Sequence, residues 1–345
     1  PVQKFPLAKT TEVGMEGKTH VREQAFASEG GSMRLVTFLR LGEPRLGAVV
    51  GEQVVDLNAA YQLMQERSGR ARAREVAAAV LPSDMVGFLE VGEEAIDAAR
   101  ETIEYVTTAE KGAFLGQGIV YGLKAVTLKA PVPRPTKLIL VGLNYRDHAE
   151  EAKMKIPEEP TLFSKYPNVV IGPGEAIRIP KVSTQIDYEG EFAFVIGKRG
   201  KDIPKAEAIN YVAGYTIVHD VSCRDYQLRT GQWMIGKTFD TFAPMGPYLV
   251  MKDEVADPHT LNLTTRLNGV VMQSSNTRHL IFNTVDLIAY ISRVFTLEPG
   301  DVISTGTPSG VGFARKPPIF LKPGDVVRIE IEGLGALENP VAAAE

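Results

Sequence analysis

Two apolar runs in the middle of the chain, each with carboxylates at one end, constrain the fold more than any other feature. The first, YEGEFAFVI at residues 188–196, carries Glu189 and Glu191 two positions apart. In a strand both carboxylates therefore lie on the same face. Beyond them both faces are apolar, with Ala193 and Val195 on the side of the glutamates. This pattern predicts a strand that enters a buried core.

The second run, YVAGYTIVH at residues 211–219, is followed directly by Asp220. A neighbouring strand could bring this third carboxylate to the two glutamates. Carboxylates that lose hydration together repel each other unless a cation compensates them. We therefore predict that Glu189, Glu191 and Asp220 bind Mg²⁺ or Mn²⁺, with Ca²⁺ as a further option. The alternative is that the two glutamates form a solvated strand end.

The first part of the chain indicates an extension and a small domain. Residues 1–32 are polar and are interpreted as an extension, whereas residues 33–58 hold short β-type runs that predict a small sheet. Residues 59–110 have helical periodicity, with Ser83 or Asp84 as a candidate helix cap. Residues 33–130 are thus predicted to form a small N-terminal domain.

A proline-rich connector, APVPRP at residues 130–135, is predicted to mark the domain boundary before a second domain at residues 137–345. Asn144 is a candidate cap for a helix over residues 145–153. Short helices are predicted at residues 204–209 and 222–229. The composition of residues 150–175, rich in Lys, Glu and Pro, favours a lid.

Strands dominate residues 161–250, and further strands follow to the end of the chain. Asn268-Gly269 predicts a hairpin, because this pair supplies the two positive φ angles of a type I′ turn. An amphipathic helix is predicted over residues 284–295. Because strands and helices are interspersed without regular alternation, the pattern favours a strand-rich α+β fold.

Charge and cysteine content bound the class of partner and the compartment. A formal charge of -4 without a long basic run argues against nucleic acid and anionic membranes as partners. No apolar run approaches the roughly 20 residues that a membrane span needs. The single cysteine, Cys223, excludes an intramolecular disulfide and is expected to be a buried thiol. The expected location is the cytoplasm, with a small molecule as substrate.

Three further side chains are candidates for catalysis. His148 and Glu151 lie three positions apart on the predicted helix, so the carboxylate could orient the imidazole as a general base. The alternative is a surface histidine in a charged helix. Lys237 follows the run GQWMIG and could stabilise an oxyanion, although a lysine extended along a cavity rim would have the same sequence signature.

Arg224 and Gln227, three positions apart, could face a ligand held near Asp220. Arg224 could equally form a structural ion pair with Asp225 or Glu191. The turn TGTPSG that begins at Thr305 has no Gly-Lys-Ser/Thr motif, so it does not indicate nucleotide phosphate, but its N–H groups could bind a substrate carboxylate.

Five motifs in a fixed order resemble the fumarylacetoacetate hydrolase superfamily, in its acylpyruvase and 2-hydroxyhepta-2,4-diene-1,7-dioate isomerase branch. They are GLNYRDHAEE, DYEGEFAFVIG, GYTIVHDVSCRDYQ, GKTFDTFAPMGP and ISTGTPSGVG, and they span about residues 137–335. The resemblance implies a mixed β-sandwich roll, a smaller N-terminal α/β domain and a homodimer or larger assembly. By the same resemblance the metal ligands are Glu189, Glu191 and Asp220. The catalytic residues are His148, Glu151 and Lys237, and the substrate-binding residues are Arg224, Gln227 and Thr305.

The resemblance also implies a reaction. An acylpyruvate or related 2,4-dioxo acid would bind the cation, His148 would activate water, and Lys237 would stabilise the oxyanion while a C–C bond breaks to release pyruvate. The leading prediction is a metal-dependent hydrolase of this kind. The alternatives are a decarboxylase of oxaloacetate or a related β-keto acid, an isomerase or hydratase of 2-oxo acids, and a non-enzymatic 2-oxo acid binding protein.

Overall fold

The computed structural model describes residues 33–109, 114, 116–151 and 155–344. The predicted extension of residues 1–32 lies outside these ranges. Within them, the strands are β1 (Arg34–Arg40), β2 (Glu43–Val50), β3 (Gln53–Asp56), β4 (Val120–Gly122), β5 (Thr127–Lys129), β6 (Leu138–Gly142), β7 (Thr161–Lys165), β8 (Val170–Ile171), β9 (Ile177–Ile179), β10 (Ile186–Asp187), β11 (Gly190–Ile196), β12 (Val212–His219), β13 (Ser222–Cys223), β14 (Ala243–Met251), β15 (Asn262–Leu267), β16 (Val270–Asn276), β17 (Val302–Ser304), β18 (Val326–Ile331) and β19 (Gly335–Ala343).

The described residues form eight α-helices, and the four in the first third of the chain include the two longest. They are α1 (Leu57–Arg67), α2 (Ala73–Val80), α3 (Met85–Val91), α4 (Glu93–Thr108), α5 (Arg146–Glu151), α6 (Arg224–Gln227), α7 (Met234–Lys237) and α8 (Thr284–Ser292). None of them is long and apolar enough to cross a membrane.

One large sheet organises the molecule. Its strand order is β4-β3-β2-β1-β14-β12-β11-β17-β6-β7, with β5 paired to β1 and β8 paired to β14. A second sheet has the order β16-β15-β18-β19-β9, and β10 pairs with β13. The first sheet includes β1 to β5, so the parts of the chain before and after the connector at residues 130–135 share it.

The two faces of the large sheet bury different layers. Phe192, Phe194 and Ile196 of β11 pack in a cluster that includes Leu263 and Ile329 of the second sheet. The alternate residues of β11 pack on the other face, in a cluster with residues of α1 to α4. This alternation agrees with the predicted faces of the strand. The strand-rich α+β prediction is confirmed, and Glu189 and Glu191 lie directly before β11 and at its second residue.

Local turn and helix signals mostly have the predicted outcome. Asn268 and Gly269 have φ angles of 52° and 82° and join β15 to β16 as a hairpin. Asp84, one of the two candidate caps, accepts a hydrogen bond from the Gly87 N–H at the start of α3. The predicted helix over residues 284–295 ends earlier, at Ser292.

Three local predictions are wrong in detail. Asn144 does not cap α5, because its side-chain amide donates to the carbonyls of Phe282 and Thr305 and accepts from Phe282 N–H. The helix predicted at residues 204–209 is instead a 3-10 turn at Ala208–Tyr211. The helix predicted at residues 222–229 covers only α6, because residues 222 and 223 form β13.

The segment predicted as a lid is largely built into the sheet. β7 pairs antiparallel with β6 over its whole length, and β8 pairs with β14. Residues 152–154 lie outside the described residues. Composition alone was misleading here, because most of the charged residues of this segment precede β7, and Lys165, the one charged residue within β7, is buried.

Candidate metal-dependent active site

Pairing between β11 and β12 brings the three predicted metal ligands together. Gly190 lies opposite His219, and Asp220 N–H donates to the carbonyl of Glu189 over 2.9 Å. One carboxylate oxygen from each of Glu189, Glu191 and Asp220 lies within 4.8 Å of the others. The three residues are only 5%, 1% and 0% exposed, so a solvated strand end is excluded.

Lys237 lies against two of these carboxylates. Its ammonium group is 2.7 Å from Glu189 Oε2 and 2.5 Å from Asp220 Oδ2, and it also donates to Ser222 Oγ over 2.7 Å. Burial opposes its charge, but the two carboxylates outweigh burial and raise the pKa of Lys237. Lys237 is therefore a buried, charged group and not a lysine extended along the cavity rim.

Lys165, a second buried lysine, was missed by the sequence analysis. Its ammonium group lies 2.7 Å from Asp220 Oδ1 and donates to the carbonyls of Val221 and Phe242. Burial lowers the pKa of Lys165 to about 8. The available signal was the alternation of TLFSK, which places Lys165 on the same strand face as Phe163, another residue of the site.

Arg224 pairs with different acids from the two that the sequence suggested. Its guanidinium binds Asp187 through Nε at 2.8 Å and Nη2 at 2.7 Å, and Nη2 is also 2.7 Å from Glu189 Oε1. Asp225 and Glu191 are not its partners. Burial would raise the pKa of Glu189, but Lys237 and Arg224 together hold it well below its usual range.

Of the three carboxylates, Glu191 has no cationic hydrogen-bond partner among the described residues to compensate its charge. It accepts hydrogen bonds from Ser304 Oγ at 2.5 Å and Gly306 N–H at 3.1 Å, both of them neutral donors. Burial, Asp220 and Glu189 raise the pKa of Glu191 well above its usual range. A divalent cation among these hard oxygen donors would supply the missing positive charge, so the residues present fit such an ion.

His148 and Glu151 form the predicted pair on α5. His148 Nδ1 lies 3.4 Å from Glu151 Oε2, and the Gly310 N–H donates to both Glu151 oxygens at 3.1 Å. Burial would raise the pKa of Glu151, but the hydrogen bonds from His148 and Gly310 outweigh it and lower this pKa. Glu151 is therefore ionised and held in place from two sides.

One cavity of about 390 Å³ joins these groups. Eight of the nine predicted site residues line it, which are His148, Glu151, Glu189, Glu191, Asp220, Arg224, Gln227 and Lys237. Thr305 does not, because it is fully buried and its hydroxyl donates to the Phe192 carbonyl at 2.8 Å. Thr307, two residues later in the same turn, lines the cavity instead. Gln227 accepts from Arg224 Nη1 at 3.0 Å, which fixes its side-chain oxygen beside the guanidinium.

The remainder of the cavity is apolar and was not predicted. Phe163 and Trp233 meet edge to face with ring centroids 5.5 Å apart, and Leu228 and Phe313 lie on the same cavity. These residues come from β7, from the chain just before α7 and from the turns after α6 and β17. The sequence carries no periodic signal that would group them.

Cys223 has the structural role that was predicted. It is fully buried, and burial raises the pKa of its thiol to about 11. It takes no part in the cavity lining given by the described residues.

The fold and the buried donor set define a metal-dependent enzyme of the strand-rich α+β class. The family model described as fumarylacetoacetate (FAA) hydrolase C-terminal matches residues 137–342, and the chain therefore belongs to this family. The resemblance and the fold inferred from the five motifs are confirmed.

Among curated relatives, the chain is similar to rat "Oxaloacetate tautomerase Fahd2a, mitochondrial", with 46% identity over 315 residues that cover 90% of this chain and 92% of the relative. Its human counterpart FAHD2A, with the same description, is 49% identical over 263 residues, covering 76% and 80%. Among solved structures, a putative HpcE protein from Mycobacterium smegmatis has a TM-score of 0.73 and 35% identity, covering 91% of this chain and all of that chain.

A further solved structure is that of maleylpyruvate hydrolase from Sphingobium sp. SYK-6 in complex with manganese (II) ion and pyruvate. It has a TM-score of 0.68 and 28% identity, and the match covers 91% of this chain and 100% of that chain. That structure combines a divalent metal ion and a 2-oxo acid with a similar fold.

The predicted cytoplasmic location is wrong on the evidence of the relatives. The rat, frog, bovine and human proteins are all named mitochondrial. The cysteine count supports only a reducing environment, and it does not distinguish between reducing compartments.

Proposed function

We propose that this chain catalyses the keto–enol tautomerisation of oxaloacetate with a divalent cation, Mg²⁺ or Mn²⁺, held by Glu189, Glu191 and Asp220. The names of relatives at 46% and 49% identity support the reaction. This proposal takes up the isomerase alternative of the sequence analysis in preference to acylpyruvate hydrolysis. The same relatives carry no hydrolase activity in their names.

One observation supports the proposal most directly: the His148–Glu151 pair lines the same cavity as the three carboxylates of Glu189, Glu191 and Asp220. Tautomerisation of a 2-oxo acid needs a base for a proton on C3 and positive charge near the 2-oxo oxygen. A cation bound by the carboxylates would supply that charge and favour the enolate. A base that lines the same cavity completes the minimum set of groups.

His148 is the group that moves the C3 proton. Because Glu151 is ionised and lies beside Nδ1, it favours the tautomer with a proton on Nδ1 and a free lone pair on Nε2. Nε2 can then accept a proton from C3 while the 2-oxo oxygen gains a proton, which forms the enol, and in the reverse direction it returns a proton to C3 as the oxygen loses one. A base positioned in this way contributes about 10²–10⁴-fold to the rate.

The buried cations keep Glu189 charged and hold Glu189 and Asp220 in place. Lys237 bridges Glu189 and Asp220, and Arg224 fixes the second oxygen of Glu189. Gln227, oriented by Arg224, presents its amide NH₂ as a donor for the substrate carboxylate. The ammonium group of Lys237 already bonds Glu189 and Asp220. Stabilising an oxyanion, the role predicted for Lys237, would be a second function of the same group.

Cleavage of a C–C bond is the second candidate, because the maleylpyruvate hydrolase structure holds manganese and pyruvate in the same fold. Hydrolysis of an acylpyruvate and decarboxylation of oxaloacetate both leave a pyruvate enolate. Both would use the same charge near the 2-oxo oxygen. They differ from tautomerisation because they release pyruvate.

The test is a paired assay on the metal-stripped protein with Mg²⁺ or Mn²⁺ added back. Loss of the enol form of oxaloacetate is followed by its ultraviolet absorbance, and pyruvate release is followed with a coupled dehydrogenase. We expect cation-dependent enol loss that far exceeds pyruvate release. Pyruvate release from oxaloacetate or acetylpyruvate at the rate of enol loss would instead establish the second candidate.

A further inference from the structure

Part of the cavity, here called the apolar end, would not be occupied by a four-carbon acid bound at the carboxylates. The apolar end is formed by Phe163, Trp233, Leu228 and Phe313. The whole cavity measures about 390 Å³ and lies in the range of roughly 300–1,000 Å³ that holds ligands much larger than oxaloacetate.

The apolar end begins directly beside the charged groups. The Phe163 ring centroid is 5.1 Å from Lys237 Nζ, and the Phe313 ring centroid is 6.0 Å from Arg224 Cζ. An aromatic ring therefore lies next to each of the two cations of the site. An apolar substituent on C3 of a 2-oxo acid bound beside these cations can contact these rings.

The charges of the cavity argue against a second carboxylate at the apolar end. Among the described lining residues, the cationic side chains are Arg224 and Lys237, with His148 as a titratable group. Arg224 is paired with Asp187 and Glu189, and Lys237 with Glu189 and Asp220. A carboxylate at the far end would be desolvated without a cationic partner from these residues.

The aromatic wall depends on a close backbone approach. A Cβ on Gly142 would lie 2.2 Å from Trp233 Cζ3, so only glycine lets the indole ring lie against this strand end. Leu228 and Phe313 are 60% and 46% exposed next to the cavity. Large apolar side chains exposed together beside a cavity are typical of a surface that an apolar ligand covers.

We infer that the apolar end binds an aryl group on C3 of the substrate, so that arylpyruvates such as phenylpyruvate are tautomerised as well as oxaloacetate. The inference rests on the proposed function and adds a substrate class to it. A C3–H bond breaks with its proton taken by His148, its electron pair forms the C2=C3 double bond, and the 2-oxo oxygen gains a proton. No other reactant is consumed, and conjugation with the aryl ring stabilises the enol.

The experiment compares phenylpyruvate, oxaloacetate and pyruvate on the full chain with Mn²⁺. Tautomerisation is measured as kcat/KM, and binding is measured separately by fluorescence, since Trp233 is the only tryptophan of the chain. We expect turnover of phenylpyruvate, and quenching of Trp233 at lower concentrations of phenylpyruvate than of pyruvate by roughly tenfold or more.

Two variants localise the effect. In Trp233→Ala and Leu228→Lys, the ratio of kcat/KM for phenylpyruvate to that for oxaloacetate should fall by about tenfold or more. Leu228 is well exposed, so its replacement does not threaten folding. Val294→Lys is the matched control, because Val294 is 69% exposed and does not line the cavity.

The outcomes separate the inference from the proposed function. Turnover of oxaloacetate without turnover or preferential binding of phenylpyruvate would overturn the inference alone. If neither acid is turned over, the proposed function fails, and the fluorescence comparison still decides whether the apolar end binds an aryl group. Equal quenching by phenylpyruvate and pyruvate would then contradict the inference as well.

Discussion

The two ends of the cavity are built in opposite ways. At the charged end, side chains directly before β11, directly after β12, and in α6 and α7 are fixed by buried ion pairs, and Glu189, Glu191 and Asp220 are almost completely buried. At the apolar end, Leu228 and Phe313 are exposed and come from connecting segments. The difference indicates that residues next to the central strands determine the type of reaction. Residues of the connecting segments determine which substrates are accepted.

The strongest way to test the charged end is Glu191→Gln, which removes one charge and keeps the shape of the side chain. We expect cation affinity and activity to fall by roughly 100-fold or more. Without added cation the melting temperature should stay the same or rise, because Asp220 and Glu189 no longer repel a third carboxylate. Calorimetric titration with Mn²⁺ and thermal unfolding measure both effects.

Glu207→Gln is the control for this substitution, since Glu207 is exposed and outside the cavity lining. Wild type and control should both gain stability with Mn²⁺, about 2.7 kcal/mol at 100 times the dissociation constant. An equal gain in Glu191→Gln would show that the cation binds elsewhere.

The catalytic pair is tested by His148→Ala. Activity on oxaloacetate should fall about 10²–10⁴-fold while Mn²⁺ affinity is preserved, because His148 is not among the grouped ligand atoms. Glu151→Gln should lower kcat in the same direction, and Glu150→Gln, on the exposed position beside it, should not. Loss of cation binding in His148→Ala would mean that the two functions are not separate.

Lys165→Met tests whether the charged end depends on its second buried lysine. The substitution leaves the buried Asp220 with one cationic neighbour fewer and frees two carbonyls. Breaking a buried pair of this kind should lower the free energy of unfolding by about 3–5 kcal/mol. Chemical denaturation measures it, and Lys124→Met at an exposed position should stay within about 0.5 kcal/mol of wild type.

A smaller effect is expected at Gly310, whose backbone holds Glu151. A Cβ there would lie 2.2 Å from the Met272 carbonyl, and φ is +99°. Gly310→Ala should cost about 1–3 kcal/mol of stability and reduce kcat by roughly tenfold. Gly324→Ala is the control, because Gly324 has a similar φ of +94° but no atom within 4 Å of the added Cβ. This variant should have the same backbone strain and an unchanged kcat.

The sequence was sufficient to group the three carboxylates and to pair His148 with Glu151, because the spacing of these residues has a direct structural meaning. Glu189 and Glu191 share a strand face, Asp220 ends the paired strand, and His148 and Glu151 share a helix face. These residues come together through regular hydrogen bonding between β11 and β12. The family motifs lie in the same elements.

The rest depended on tertiary contacts that no local pattern encodes. Asp187 pairs with Arg224 across β10 and β13, and Lys165 reaches Asp220 from a distant strand. Thr305 was placed in the site by its motif, yet its hydroxyl bonds to the Phe192 carbonyl. The aromatic contact of Phe163 with Trp233 joins residues from β7 and from the segment before α7.

The most direct test of the central claim is deuterium exchange at C3 of pyruvate in D₂O, followed by proton NMR. Pyruvate can neither be hydrolysed nor lose a second carboxylate, so exchange reports enolisation alone. We predict exchange that requires Mg²⁺ or Mn²⁺ and is lost in Glu191→Gln and His148→Ala. Exchange no faster than in buffer, with the cation bound to the wild-type protein, would contradict enolisation as the chemistry of this site.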